Sequence, residues 1–206
     1  MPEPHSAPPS RKLILILGGA RSGKSALAEA LAASLAPDGA VLFVATAQAR
    51  DEEMRDRIAE HKRRRPAGWR TLEEAIDLGG RISVVVGEAR VVLLDCVTLW
   101  ASNLLLERLG PDDEEAPPEV EARALAAVEE LLAAHRDGVA TWIVVSNEVG
   151  LGLVPPYPLG RAYRDVLGRM NQRLAAAADE VYLLVAGIPV ELKALSSRFG
   201  ISLAGT

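Results

Sequence analysis

Gly18-Gly19-Ala20-Arg21-Ser22-Gly23-Lys24-Ser25 spells G-x-x-x-x-G-K-S, and the reading of this stretch decides the architecture of the chain. Directly before it stands Leu13-Ile14-Leu15-Ile16-Leu17, an apolar run of strand length. Directly after it comes Ala26-Leu27-Ala28-Glu29-Ala30-Leu31, rich in helix formers. Strand, glycine-rich loop and helix together form the P-loop context. Gly18 and Gly23 let the backbone turn and bring its N–H groups up to an anion, where a side chain would block approach. The helix that follows aims its positive end at the phosphates. Lys24 is placed to reach the terminal phosphates, and the Ser25 hydroxyl to ligate Mg²⁺. The segment is expected to bind a nucleoside triphosphate.

Outward from this stretch, apolar runs alternate with alanine-rich helical stretches, the pattern of a doubly wound, mostly parallel α/β sheet flanked by helices. Strands are expected at 13–17, 41–45, 91–95, 142–146 and 181–186, each nearly continuous in Val, Leu and Ile as for strands buried on both faces. The segment 82–86 reads as either an extra strand or the approach to the strand at 91. Val91-Val92-Leu93-Leu94 ends in Asp95, the position of a second Mg²⁺-organising carboxylate at the C-terminal edge of a neighbouring strand. Cys96 reads as a small buried residue, since no cation beside it would activate a thiolate. The stretch Gly110 to Glu119 is acidic and proline-rich and reads as a surface loop, followed by an amphipathic helix from Val120 to His135.

Composition narrows the class. The 206 residues suit one α/β domain, assigned to 11–206, behind a proline-rich segment, 1–10, expected to be a disordered tail. Hydrophobic residues make up 49% and charged residues 25%, an ordinary composition for a soluble protein, and no apolar run is long enough to span a bilayer. The first ten residues lack the apolar core of a signal peptide. Cys96 is the only cysteine, so no intrachain disulfide can form, in keeping with a reducing, cytoplasmic setting. The net charge of −5 argues against nonspecific nucleic-acid binding.

One basic run stands out against that charge. Asp51 to Lys62 reads as a helix beginning near the ligand edge of the sheet, just after Thr46. Met54, Ile58 and His61 share one of its faces. Lys62, Arg63, Arg64 and Arg65 follow at once. From the residues alone His61 has two readings. It is a structural cation at a helix C-terminus, or an imidazole beside a triphosphate held by the basic run, able to attack phosphorus. Both stay open at this point.

The chain resembles the bifunctional adenosylcobinamide kinase/adenosylcobinamide-phosphate guanylyltransferase family of cobalamin synthesis. The resemblance runs from the P-loop to about Lys193. It rests on the P-loop, on Val44-Ala45-Thr46-Ala47, and on the helix Asp51 to Lys62 with Arg65-Pro66 and Trp69 to Glu73. Further segments are Leu93 to Trp100 with Asn103-Leu104-Leu105, Ser146 to Pro155, Arg164-Asp165 through Gly168, Asn171-Gln172, and Ala178 to Val181. It implies a RecA-like P-loop NTPase fold and two activities: phosphorylation of adenosylcobinamide by ATP or GTP, then GMP transfer from GTP to that phosphate. It implies a GMP-histidine at His61, and some relatives carry a second histidine at the position of Glu60. Nucleotide contacts carry over to Gly18, Gly19, Ala20, Arg21, Ser22, Gly23, Lys24 and Ser25, to Ala45 and Thr46, to Lys62, Arg63, Arg64 and Arg65, to Glu73 and to Asp95. Mg²⁺ at Ser25 and Asp95, and a homotrimer, are further implications.

Rival readings are a P-loop kinase for another small alcohol with His61 structural, a nucleic-acid-stimulated ATPase using the basic run, and a regulatory nucleotide binder. Ser146 to Gly152 follows a strand, so it is expected on the same sheet edge. Its glycines suit either close approach of a ligand or subunit, or turning alone.

Overall fold

The computed structural model describes residues 11–49, 52–110 and 113–198. The segment expected to be a disordered tail, 1–10, lies outside these. The apolar run before the P-loop forms β1 (Leu13–Gly18), buried along its whole length. Its lack of alternation fits a central strand covered on both faces. In order there follow α1 (Lys24–Leu35), β2 (Val41–Ala45), α2 (Glu52–Arg64), β3 (Arg70–Glu73), α3 (Leu78–Val85), β4 (Val91–Asp95) and α4 (Val97–Leu106). Then come α5 (Val120–Asp137), β5 (Thr141–Val145), α6 (Pro158–Ala177), β6 (Glu180–Val185), β7 (Ile188–Glu191) and α7 (Leu192–Ser197).

The strands form one seven-stranded sheet in the order β3-β2-β4-β5-β1-β6-β7. Every pairing is parallel except the β6–β7 hairpin. The P-loop strand β1 and the acid-bearing strand β4 are thus separated by one strand, β5. This is a P-loop NTPase fold of RecA-like order, and the five expected strands fall within a residue of their observed bounds.

Alternation along the strands divides the core. Leu15, Val44, Val92, Leu94 and Val144 face the layer that contains α3, α4, α5 and α6. Ile14, Ile16, Phe43, Leu93 and Ile143 face α1 through Ala28, Ala32 and Ala36, whose small side chains let that helix lie close. Gly79 performs the same service on the other face: a Cβ there would come within 2.8 Å of the Glu130 backbone, so α3 and α5 touch main chain to main chain.

The segment 82–86, open between an extra strand and the approach to the strand at 91, is the end of helix α3. Asp77 caps that helix by accepting from Gly80 N at 3.1 Å. Arg70 donates to the carbonyls of Val85 and Val86 at the other end. Two capping interactions and the buried pair Leu78 and Ile82 outweigh the strand preference of the valines. Residues 113–119 are irregular, as expected for a loop. At the N-terminal edge of the sheet, Arg11 donates to the carbonyls of Arg136 and Gly138, at 2.5 and 2.9 Å, at the C-terminal end of α5. His135 lies buried beside them, edge-on to Trp142 with centroids 5.6 Å apart. Among the described residues no helix is long and apolar enough to cross a membrane.

Candidate active site at the C-terminal sheet edge

The P-loop turns out of β1 at Gly18. A Cβ at that position would meet Ser22 Oγ at 2.6 Å and the Leu184 carbonyl at 2.8 Å, so no side chain fits between the loop and β6. Glu148 N–H donates to the Gly18 carbonyl at 3.1 Å, and Gly187 N–H donates to the Ser22 carbonyl at 3.0 Å. The loop is therefore braced from the segment after β5 and from the β6–β7 turn. The Ser146 to Gly152 segment does lie along this edge.

Within the loop, Lys24 is buried and its Nζ donates to the Gly19 carbonyl at 2.7 Å. Burial draws its pKa below the ordinary lysine value, with Cys96 and Asp95 acting in the opposite direction. The Ser22 hydroxyl is buried without a partner, an unused polar group inside the anion cradle. Arg21 holds a positive φ of 56° at the exposed tip, between Ala20 and Ser22. Ser25, half-buried, opens α1 beside Lys24.

Asp95 ends β4 in register with Ala45 of β2 and Val145 of β5. It stands within electrostatic reach of both Lys24 and Arg65. The thiol of the next residue, Cys96, is pushed up to about 11, chiefly by burial, so it is not a thiolate near neutrality.

The chain matches, over residues 14–192, a family model described as cobinamide kinase / cobinamide phosphate guanyltransferase. The chain belongs to this family. It is 44% identical over 186 residues to the bifunctional adenosylcobalamin biosynthesis protein CobU of Escherichia coli, covering 88% of this chain and 99% of that one. It is 47% identical over 179 residues to the bifunctional adenosylcobalamin biosynthesis protein CobP of Pseudomonas aeruginosa, covering 87% of this chain and 96% of that protein. Among solved structures it is similar to the flagellar accessory protein FlaH of Methanocaldococcus jannaschii, with a TM-score of 0.46 and 14% identity, covering 88% of this chain and 76% of that one. It is also similar to a KaiC-like protein of Pyrococcus horikoshii, at a TM-score of 0.44 and 17% identity over 85% and 71% of the two chains.

In this cobinamide kinase/guanyltransferase chain, α2 is anchored at its C-terminal end by the basic run itself. Lys62 Nζ pairs with Glu73 at the end of β3, and Arg63 pairs with Glu60 at 2.9 Å. The Arg65 guanidinium lies over the Phe43 ring, 3.6 Å from its centroid. Burial lowers its pKa, while Asp95, Glu73 and Glu29 raise it. His61 and Arg64 occupy the last turn of this helix, and their side chains lie outside the described residues.

The structure also shows a polar network behind the site in which Asn103, Thr98 and Asn171, to which the sequence reading gave no role, join Thr46. Thr46, fully buried, donates its hydroxyl to the Cys96 carbonyl at 2.7 Å and accepts from Cys96 N–H at 2.9 Å. Asn103 Nδ2 donates to the carbonyls of Thr46 and Ala75, at 2.8 and 3.2 Å. Thr98 Oγ1 accepts from Asn147 N–H at 2.9 Å, and Asn171 Nδ2 donates to the Asn147 carbonyl at 3.0 Å. The loops leaving β2, β3, β4 and β5 are thereby joined side by side. The available signal was a lone amide inside the apolar helix Val97–Leu106; its partners, far away in the chain, carried none.

Proposed function

We propose that this chain phosphorylates adenosylcobinamide with ATP or GTP, then transfers GMP from GTP to the resulting phosphate through His61. The product is adenosylcobinamide-GDP, with pyrophosphate released. The observation that carries this reading is the meeting, at one sheet edge, of the P-loop, Asp95, and the end of a helix bearing His61 beside Glu73.

In the first half of guanylyl transfer, an imidazole nitrogen of His61 attacks the α-phosphorus of GTP. The N–P bond forms as the P–O bond to pyrophosphate breaks, and the electron pair leaves on pyrophosphate. In the second half, a phosphate oxygen of the acceptor attacks the same phosphorus, and the N–P electron pair returns to His61. Lys24 offsets charge on the leaving group; its ammonium has three donors, one of which is given to the Gly19 carbonyl. The P-loop residues Gly18 to Ser25 cradle the phosphates, and Ala45 and Thr46 border them. Glu73 accepts from the sugar or base of the nucleotide. Lys62, Arg63, Arg64 and Arg65 supply positive potential around it.

Ser25 and Asp95 are the residues that would hold Mg²⁺. Among the described residues no cluster of three or more His, Cys, Asp or Glu is suited to a metal. Two oxygen donors beside a triphosphate suit Mg²⁺, which keeps several waters and is held through substrate phosphates. When bound, the ion neutralises charge on the phosphate oxygens.

The exposed Leu151, Leu153, Val154 and Tyr157, in the segment between β5 and α6, support a homo-oligomer, assigned as a trimer. The single cysteine supports a cytoplasmic setting.

Intact mass after incubation with GTP and Mg²⁺ tests the reading. The native chain gains an acid-labile, GMP-sized adduct and His61→Ala gains none. Terminal-phosphate transfer without an adduct on the native chain would leave a small-molecule kinase.

A further inference from the structure

Asn103 lies in α4 among Val97, Trp100, Ala101, Leu104 and Leu105, all buried, and is itself only 5% exposed. An amide in such a place costs free energy unless its donors are used. A primary amide carries two N–H bonds, and here Nδ2 faces two carbonyls: Thr46 at 2.8 Å and Ala75 at 3.2 Å. Those carbonyls belong to different crossover loops. Thr46 begins the one that leads from β2 into α2, and Ala75 sits in the one that leads from β3 into α3.

The Thr46 end is fixed further. Its hydroxyl bonds both ways with Cys96, and its N–H donates to the Asp95 carbonyl at 3.4 Å. The other end of α2 is held by Lys62 on Glu73 and by Arg65 over Phe43. The start of the loop toward α2, at Thr46, and the loop just beyond Glu73, which holds the last turn of α2 through Lys62, thus both adjoin Asn103. Asn103 shares in fixing the point where the chain leaves the sheet toward α2.

We propose that Asn103 is a positioning residue for the chemistry of His61: it sets where the β2–α2 loop departs, and so where the last turn of α2 stands relative to the P-loop. It touches neither the nucleotide nor the nucleophile in this scheme. It acts through Thr46 and the helix. The proposal rests on the guanylyl-transfer reading above.

The test is rapid-quench intact mass of the full chain, following adduct formation across a range of GTP concentrations with Mg²⁺. Asn103→Asp keeps the shape but turns a carboxylate oxygen toward two carbonyls. The maximal rate of adduct formation is expected to fall about ten- to hundredfold, the scale of loss from misplacing a reacting group. Half-saturating GTP and binding stoichiometry are expected to stay within about twofold, the mark of an effect on the reaction rather than on nucleotide binding. A merely structural role would instead reduce GTP-binding stoichiometry and rate together, and that result overturns the proposal. So does an unchanged rate, which leaves guanylyl transfer itself intact. If the native chain forms no adduct, both readings fall. Should Asn103→Asp not fold, Asn103→Ser keeps one donor without the charge and is judged by the same split between rate and affinity.

Discussion

The P-loop and helix α2 both bring positive potential to the same sheet edge, but they make it differently. In the P-loop it comes mainly from backbone N–H groups and a helix terminus, joined by Lys24 and Arg21, all within eight consecutive residues. In α2 it comes from side chains, and the structure has already paired several of them. Lys62 is on Glu73, Arg63 on Glu60, and Arg65 on the Phe43 ring. A tally of cations therefore overstates what α2 can offer a phosphate. A backbone cradle needs few partners, whereas a side-chain cradle depends on which partners its cations have already taken.

The change with the largest effect on this contrast is Lys24→Ala. Removing the P-loop's one lysine is expected to slow guanylylation by about a hundredfold or more, as for loss of a preorganised charge stabiliser. Single-turnover rates at saturating GTP check it; a loss comparable to that from any single α2 cation would erase the distinction. Arg65→Ala comes next. Because the guanidinium packs on Phe43 without any nucleotide, its truncation is expected to lower the stability of the nucleotide-free chain by about 0.5–2 kcal/mol. Urea unfolding without GTP measures this, and an unchanged midpoint would mean that Arg65 is held in reserve for phosphate after all. Arg65→Lys is expected to recover only part of the loss, lacking the planar face.

The smallest effect is a pH dependence of stability set by His135. Burial lowers the pKa of His135, with Arg11 and Arg136 acting in the same direction and Asp179 against it. The folded chain thus binds fewer protons at this site than the unfolded one, so stability rises with pH across its titration. The contribution is complete above the unfolded value of about 6.5 and is lost as pH falls below it, toward the lowered folded value. Thermal melts between about pH 7 and 5 are expected to flatten in His135→Phe.

The central fold was legible because β1, β2, β4, β5 and β6 are apolar runs with few other readings. The edge strands were not. β3 buries only Leu72 of its four residues, and β7 carries Pro189 and exposed Ile188, a composition tolerated only where one side of a strand is unpaired. Helix α3 was obscured by its valines, since its caps depend on Asp77 locally but on Arg70 from the preceding strand. In the site, contiguous chemistry could be read and assembled chemistry could not. Asn103 serves carbonyls contributed by two other loops, and Arg65 stacks on a residue of β2. Neither relation leaves a local pattern in the chain.

The Gly187–Ser22 hydrogen bond also has a temporal side. β1 leaves a ribosome well before β5 and β6, the strands it pairs with, and its loop is braced by a turn beyond β6. The chain from β1 through Gly187 must emerge before the nucleotide cradle can close. Until then β1, a wholly apolar strand, has both edges unpaired, the condition in which nascent chains aggregate or recruit chaperones.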